Sequence, residues 1–375
     1  MKKLIFLSLI FFSLLSCREE IITPQDVQHE AIQSVEWKIH HPSNFSSKQQ
    51  IVGLASNNEF LVAAHDYAFE GTESALTVIT KNDALIEIET DFSFNSNSYS
   101  EAPYFTDIFF YENEFYCVGG LEYDAFNDGR YRVKYNPETN LMYGEGQYSN
   151  STFDYLHNIF AINDHLHAIR VEDENNIGVT TLESGNGNTV QMGTLPNSSR
   201  IRVFQENFYN LDLNGKLMYK YGGSSWKFAN TSNTDIIVDV VEYNGKVLLL
   251  GKFDDSDHLI YELDPLSTNI SPYFSEESSF VYNYDIWENT PKRNLGNSMM
   301  TAPQFQVLND RLFVYGSFRH SLYSTGSTSG LIMQLDQEEL KVLYYGDNVR
   351  DMEYFNGRYY AAVNNGIGLL SCTLP

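Results

Sequence analysis

The feature that most constrains the fold is an apolar hairpin that recurs seven times along the chain. In its clearest copy, VVEYNGKVLLLG at 240–251, two apolar strands flank an Asn-Gly pair. Asn, Asp and Gly tolerate positive φ and therefore form tight hairpin turns. The spacing between copies averages about 50 residues. The predicted turn pairs begin at Asn58, Asn113, Asn163, Glu206, Asn244, Asn309 and Asn356.

Most hairpins are followed by a third apolar segment, such as HLIYELDPLSTN at 258–269, and then by a fourth, such as LIEIE at 85–89 or VQMG at 190–193. Four antiparallel strands in each repeat of this length are typical of a β-propeller blade. A solenoid has shorter repeats with capped ends, and a β-sandwich does not repeat in this way. The sequence therefore predicts an all-β fold, a single propeller over 35–375, with seven blades. Six or eight blades result if one unit is divided differently.

The last repeat is one strand short of a full blade, because the chain ends after IGLLSCTLP. Near the other end, SVEWKIHHP at 34–42 alternates apolar and polar residues, as a half-buried strand does. Val35, Trp37 and Ile39 share one face of this segment. We expect it to complete the last blade, because joining the two chain ends removes an exposed sheet edge.

The segment FYCVGG, with Tyr116, Gly119 and Gly120, resembles a kelch repeat, and the repeat length lies near those of kelch and WD40 propellers. Most copies lack the double glycine. The resemblance is architectural: it implies a propeller and identifies no specific family.

The first residues, MKKLIFLSLIFFSLLSC, carry two lysines and then an apolar run too short to span a bilayer. LLSC resembles the lipobox of bacterial lipoproteins. This resemblance implies that 1–16 is a signal peptide, that Cys17 is acylated, and that 17–34 is a flexible tether to the membrane. The following CREE resembles the surface-export signal of lipoproteins in the Bacteroidetes group. It implies display at the outer-membrane surface, with the periplasmic face as the alternative.

The chain has a formal net charge of −25, with 49 acidic residues against 24 basic ones. This balance excludes nucleic acid as a partner, because phosphate contacts require a basic surface. Cys117 and Cys372 lie in apolar strand patterns and are predicted to be buried free thiols, although pairing is possible in an oxidising compartment.

Loops between the second and third strands, together with the connections between blades, are the expected location of a site. Aromatic rings pack on sugar faces, so the sequence predicts a glycan or other polymer ligand at four aromatic residues in these connections. These residues are Tyr99, Tyr104, Tyr284 and Trp287. Hard cations prefer several carboxylates in a short span, so Ca²⁺ is a second candidate at Asp254, Asp255 and Asp257.

Catalysis is the third possibility. The sequence has no sialidase-type Asp-box, no Gly-x-Ser-x-Gly elbow and no His-Glu-x-x-His. His65, His258 and His320 could meet at one rim. We predict noncatalytic binding of a glycan or protein. The alternatives are a propeller enzyme acting on polysaccharide and a periplasm-facing assembly or sensing scaffold, the latter because the chain resembles the outer-membrane assembly propeller lipoprotein in plan.

Overall fold

A computed structural model of the chain describes residues 35–40, 50–65, 74–89, 102–124, 127–148, 155–162, 165–173, 176–182, 198–253, 258–274, 284–285, 303–320, 328–337, 339–363 and 368–375. These residues form 28 β-strands, numbered β1 to β28 along the chain, and no α-helix. Within these ranges there is accordingly no helix that could cross a membrane.

The strands form a seven-bladed propeller of antiparallel sheets, which confirms the predicted fold class. Blade 1 contains β2 (Ile51–Ser56), β3 (Phe60–His65), β4 (Ser74–Thr80) and β5 (Leu85–Glu89). Blade 2 contains β6 (Ala102–Tyr111), β7 (Glu114–Asp124), β8 (Asn127–Asn136) and β9 (Leu141–Tyr148). Blade 3 contains β10 (Tyr155–Ile162), β11 (His165–Asp173) and β12 (Asn176–Thr181). Its predicted fourth strand, VQMG at 190–193, lies outside the described residues.

Blade 4 contains β13 (Ser198–Phe204), β14 (Asn207–Asp212), β15 (Leu217–Lys220) and β16 (Lys227–Phe228). Blade 5 contains β17 (Ile236–Tyr243), β18 (Lys246–Lys252), β19 (Ile260–Leu263) and β20 (Ile270–Pro272). Blade 6 contains β22 (Gln304–Leu308), β23 (Arg311–His320), β24 (Thr328–Asp336) and β25 (Glu339–Gly346), and the short β21 (Tyr284–Asp285) also pairs with β23. Blade 7 contains β26 (Val349–Phe355), β27 (Arg358–Val363), β28 (Gly368–Cys372) and β1 (Lys38–His40).

The N-terminal strand closes the ring, as predicted. β1 pairs antiparallel with β28, with Lys38 opposite Ser371 and His40 opposite Leu369. Trp37 packs against the apolar layer between blades 6 and 7, and its Nε1 donates a 2.9 Å hydrogen bond to the Leu343 carbonyl. Ile39, on the same strand face as Trp37, is 51% exposed, so the face is buried only in part.

The core consists of seven separate apolar layers, one at each blade interface. Between blades 1 and 2, for example, Val62 and Leu76 pack with Phe105 and Phe115. The seventh layer joins the last blade to the first. Because burial of apolar surface dominates folding free energy, each blade is stabilised by both neighbours, and closure leaves no terminal blade exposed.

The hairpin turns are where the predicted positions needed correction. Asn244-Gly245 and Asn356-Gly357 form turns with positive φ at both residues, as predicted. In blade 2, Tyr111 pairs with Glu114, so the turn is Glu112-Asn113 and begins one residue before the predicted Asn113. In blade 4, Phe204 pairs with Asn207, and the turn likewise begins at Gln205 instead of Glu206. Glu112 and Gln205 adopt positive φ in these turns because the strand pairs on either side fix the register.

Candidate functional site

The inner strands of the seven blades surround a central cavity of about 530 Å³. One position recurs on every inner strand, five residues before the hairpin turn, and we call it the ring position. Six of its seven occupants are polar. The occupants are Gly53, Asp107, Asn158, Arg200, Asp239, Gln304 and Asp351.

A β-bulge accompanies the ring position in six of the seven inner strands. A bulge adds one residue to one strand and disrupts the local ladder, and the innermost strand of each blade is also an edge strand whose channel-facing amides have no ladder partner. An unpartnered buried amide costs about 1–3 kcal/mol. The amide that needs an acceptor is that of the residue after the ring position, which we call the ring amide.

Four side chains at the ring position satisfy all seven ring amides, at distances of 2.6–2.9 Å. Each aspartate accepts two bonds: one carboxylate oxygen takes the amide of its own blade and the other takes that of the next blade. Asn158 accepts the remaining bond, from Ile201 in blade 4. The pairs bound by aspartate are Ile108 and Ile159 by Asp107, Val240 and Phe305 by Asp239, and Met352 and Leu54 by Asp351.

This arrangement leaves three ring positions without an amide to serve. Gly53 is one of them, and a Cβ there would approach Cγ2 of Ile108 to 2.9 Å, so the close packing of blades 1 and 2 selects glycine. The other two are Arg200 and Gln304, in blades 4 and 6. Because the ring amides do not require these two side chains, they are the ring residues available to form a site.

Arg200 and Arg202 lie next to each other in the cavity on alternate residues of β13, so they share one face of the strand. Arg202 binds Asp239 through two hydrogen bonds, from Nε at 2.9 Å and Nη2 at 2.7 Å. Nη1 of Arg200 lies 3.1 Å from the same carboxylate. Nη2 of Arg202 also reaches Oε1 of Gln304, two blades away, at 3.4 Å. The pair of guanidinium groups therefore projects into the middle of the channel.

The two arginines determine the ionisation of Asp239. Burial opposes ionisation of Asp239, but the guanidinium groups of Arg202 and Arg200 outweigh it and lower the pKa of the carboxyl. Burial also lowers the pKa of Arg200, although an arginine remains protonated at neutral pH. Arg200 and Arg202 thus share the Asp239 carboxylate, and the Asp107 carboxyl also interacts electrostatically with both arginines.

Other carboxyl groups line the same cavity. Burial raises the pKa of Asp107 to about 6 and that of Asp351 and Glu353 to about 7. The Tyr315 hydroxyl lies 2.8 Å from Oδ1 of Asp351 and 2.7 Å from Oε1 of Gln306, and it donates its single hydrogen to one of these two oxygens. These carboxyl groups gain negative charge as the pH rises through 6 and 7, so they offset the arginines more strongly at higher pH.

Several residues predicted to form a site lie outside the described residues: Tyr99, Trp287, Asp254, Asp255 and Asp257. Tyr104 lies in β6, opposite Gly120. Tyr284 lies in β21, which pairs with the end of β23 through Tyr284 opposite His320. The glycan and Ca²⁺ assignments of these residues stay predictions.

The predicted cysteines and His65 lie within the blades. Cys117 and Cys372 are buried and free, as predicted. Nε2 of His65 lies 2.9 Å from Oγ1 of Thr77 in its own blade. Across the described ranges, no group of three His, Cys, Asp or Glu side chains could hold a metal ion.

Sequence reasoning placed the site in loops and missed the arginine pair. A signal was present, because a polar residue precedes an apolar one at the same distance from most turns, as in TDIFFYEN and RDMEYFNG. In blade 4 this position holds an arginine, Arg200 in SRIRVFQE, where the quoted examples have an aspartate. To see that Arg200 is not needed by the ring amides, one must know which side chains accept from those amides. Several of these hydrogen bonds join different blades.

Comparison with known proteins yields structures but no sequence relatives: no family model and no curated protein matches the chain. A chain of the mitotic checkpoint complex aligns with a TM-score of 0.52 at 8% identity, covering 92% of this chain and 97% of that one. The designed protein Ika8 gives 0.48 at 9%, covering 90% and 100%. PorZ, a surface component of the type-IX secretion system of Porphyromonas gingivalis, gives 0.49 at 10%, covering 90% and 38%. At these identities the likeness concerns the β-propeller fold alone.

Proposed function

We propose that this chain is a noncatalytic binding lipoprotein of the bacterial envelope. In this proposal 1–16 is a cleaved signal peptide, the acyl chains of Cys17 anchor the protein, 17–34 is the tether, and the propeller of 35–375 recognises a protein or a glycan. The location is the outer membrane, with the propeller at the cell surface.

The observation that carries the noncatalytic assignment is the engagement of the channel carboxylates. General acid–base catalysis requires a carboxyl oxygen that is free to reach a substrate. Both oxygens of Asp107, Asp239 and Asp351 instead accept backbone amides. Oε1 of Glu353 accepts its neighbour's amide at 2.9 Å. These bonds support a scaffold that holds its shape and binds.

A protein is the first candidate partner. Seven apolar layers and the bonds to the ring amides make a rigid support for loops, and rigid scaffolds commonly carry recognition loops. A chain in the mitotic checkpoint complex has the same fold and belongs to an assembly, which supports this choice.

A glycan is the second candidate, and one observation favours it. Tyr284 lies in β21, which pairs with β23, and Trp287 follows three residues later in the sequence. A residue held in a strand loses less conformational entropy on binding than one in a free chain.

The anchor and the location are tested together. Cells expressing the full chain or Cys17→Ser are labelled with a palmitate analogue, and intact and lysed cells are then treated with protease. We expect label on the native chain alone and digestion in intact cells. Label on Cys17→Ser would refute acylation at that residue. Digestion only after lysis would move the propeller to the periplasmic side, as an assembly or sensing scaffold.

The partner is tested by placing a photo-crosslinking residue at Tyr284 and, as a control, at Tyr143, which is 59% exposed on the outer strand of blade 2. A discrete adduct at Tyr284 that is absent at Tyr143 supports a protein partner. Retention on envelope polysaccharide that is lost in Tyr284→Ala and Trp287→Ala supports a glycan. Release of new reducing ends from that polysaccharide would overturn the noncatalytic assignment.

A further inference from the structure

The unused hydrogen-bond donors of the central cavity are the starting point. A guanidinium group has five N–H donors in a planar fork. Within the described residues, Nη1 of Arg202 donates to no protein group, and neither do Nε and Nη2 of Arg200. Both side chains retain solvent contact, 14% for Arg200 and 28% for Arg202, so part of each guanidinium faces the cavity.

The fold does not require an arginine at position 200. The ring amides are satisfied by three aspartates and Asn158, so an uncharged residue at 200 would leave them paired. An arginine in a cavity is stabilised by anionic partners, and Asp239 and Asp107 supply part of that charge. A carboxylate ligand would accept hydrogen bonds from the donors that no protein group uses.

We propose that the central cavity binds a carboxylate-bearing ligand between Arg200 and Arg202, with the side-chain amide of Gln304 beside it. Planar bidentate recognition of carboxylates is the characteristic use of arginine. The cavity, at about 530 Å³, accommodates a small dicarboxylate or a single acidic side chain of a partner protein. The inference rests on the proposed binding function and names the chemistry of its ligand.

The charged and titratable groups around the cavity set the sign of its pH dependence. The cavity is lined by three cations, Arg200, Arg202 and Arg350, by the acids Asp107, Asp351 and Glu353, and by His157 and Tyr315. Asp239 contacts Arg200 and Arg202. Burial holds the pKa of His157 at about 3, so it stays neutral above pH 5. As the pH falls from 8 to 6, Asp107, Asp351 and Glu353 lose negative charge while the carboxylates of the probes stay largely ionised. Carboxylate binding should therefore strengthen over this interval.

The test is calorimetric titration of the full chain in detergent, at constant salt, with two acidic probes and their neutral counterparts. Glutarate represents a free metabolite-sized ligand, with glutaramide as its control. An acetylated Glu-Glu-Glu amide represents a partner's acidic segment, with the Gln-Gln-Gln peptide as its control. We expect at least one acidic probe to bind and its neutral counterpart to fail. Binding of glutarate identifies a small ligand, whereas binding of the peptide alone identifies a protein segment.

Arg200→Gln should weaken binding at least about tenfold, because one charge-assisted bidentate contact is lost. The matched control is Arg358→Gln, which removes a surface arginine paired with Asp83 and should leave binding unchanged. If Arg200→Gln does not fold, the pH series on the native chain decides. Affinity that is flat or rises with pH, or equal binding of neutral and acidic probes, would overturn the inference.

Failure here is distinguishable from failure of the proposed function. A discrete crosslink at Tyr284 without binding of either acidic probe would refute the cavity site alone. Binding of an acidic probe, with neither a crosslink nor polysaccharide retention, would retain the cavity site and refute recognition by the loops.

Discussion

Blades 4 and 5 place opposite charges at the same position of the repeat, and the contrast separates structure from function. In blade 5, Asp239 is completely buried and binds two backbone amides and two arginines. In blade 4, Arg200 binds no ring amide and keeps contact with the cavity. One repeated position thus holds the ring together in one blade and is available for recognition in its neighbour.

The largest effect on stability should come from replacing Asp239, the ring residue that binds two backbone amides. Asp239→Ala leaves the amides of Val240 and Phe305 without acceptors and removes the carboxylate that Arg200 and Arg202 share. We expect a loss of about 4 kcal/mol in the free energy of unfolding, measured by urea titration. A loss below about 1 kcal/mol would show that these bonds contribute little to the ring.

A smaller loss is expected at the ring position that has no side chain. Gly53→Ala places a Cβ 2.9 Å from Cγ2 of Ile108 and 3.3 Å from its nitrogen, so the interface of blades 1 and 2 must shift. Overpacking of this kind costs about 1–3 kcal/mol. Gly178→Ala is the matched control, because nothing lies within 4 Å of its Cβ. Equal urea midpoints for the two variants would contradict the close approach.

The pH dependence of stability sharpens the contrast between Asp239 and the other channel acids. Burial raises the pKa of Asp107 to about 6 and of Asp351 and Glu353 to about 7, above the usual value near 4 in unfolded chains. Folding therefore favours their protonated forms, and this stabilisation is full below about pH 4 and lost as the pH rises through 6 and 7. Asp239, whose pKa is lowered, contributes stability that is lost in stronger acid.

Glu353→Gln isolates one of these groups. The variant should show a shallower decline in the free energy of unfolding between pH 4 and 7 than the native chain, because it removes one proton-binding site. Urea titrations at pH 4.5, 6 and 7.5 measure it. An unchanged slope would show that Glu353 is ionised throughout this range.

The smallest effect on stability is expected at Arg200. In Arg200→Gln, Arg202 retains both hydrogen bonds to Asp239 and the ring amides keep their acceptors. We expect a change within about 1 kcal/mol in the free energy of unfolding, measured beside Asp239→Ala under the same conditions. A loss as large as that of Asp239→Ala would make Arg200 a structural residue.

The architecture was predictable because each repeat carries local signals. Alternation and turn residues located the hairpins, and the Trp37 segment was recognised as the closing strand from its periodicity and the incomplete last repeat. The candidate site was not predictable in the same way. The bond from Asp351 to the Leu54 amide joins residues 297 positions apart, so no local pattern indicates it. Without that pairing, Arg200 is one polar residue among six.

The central claim is that aspartates at the ring position stabilise the fold, whereas Arg200 at the same position binds a ligand. Its most direct test is to measure urea unfolding and glutarate and acidic-peptide binding on two variants, Asp107→Ala and Arg200→Gln. We predict that Asp107→Ala lowers the free energy of unfolding by about 2 kcal/mol or more, because the amides of Ile108 and Ile159 lose their acceptors, and that the folded variant still binds. Arg200→Gln should keep its stability and lose binding. Loss of stability in Arg200→Gln with binding retained would contradict the account.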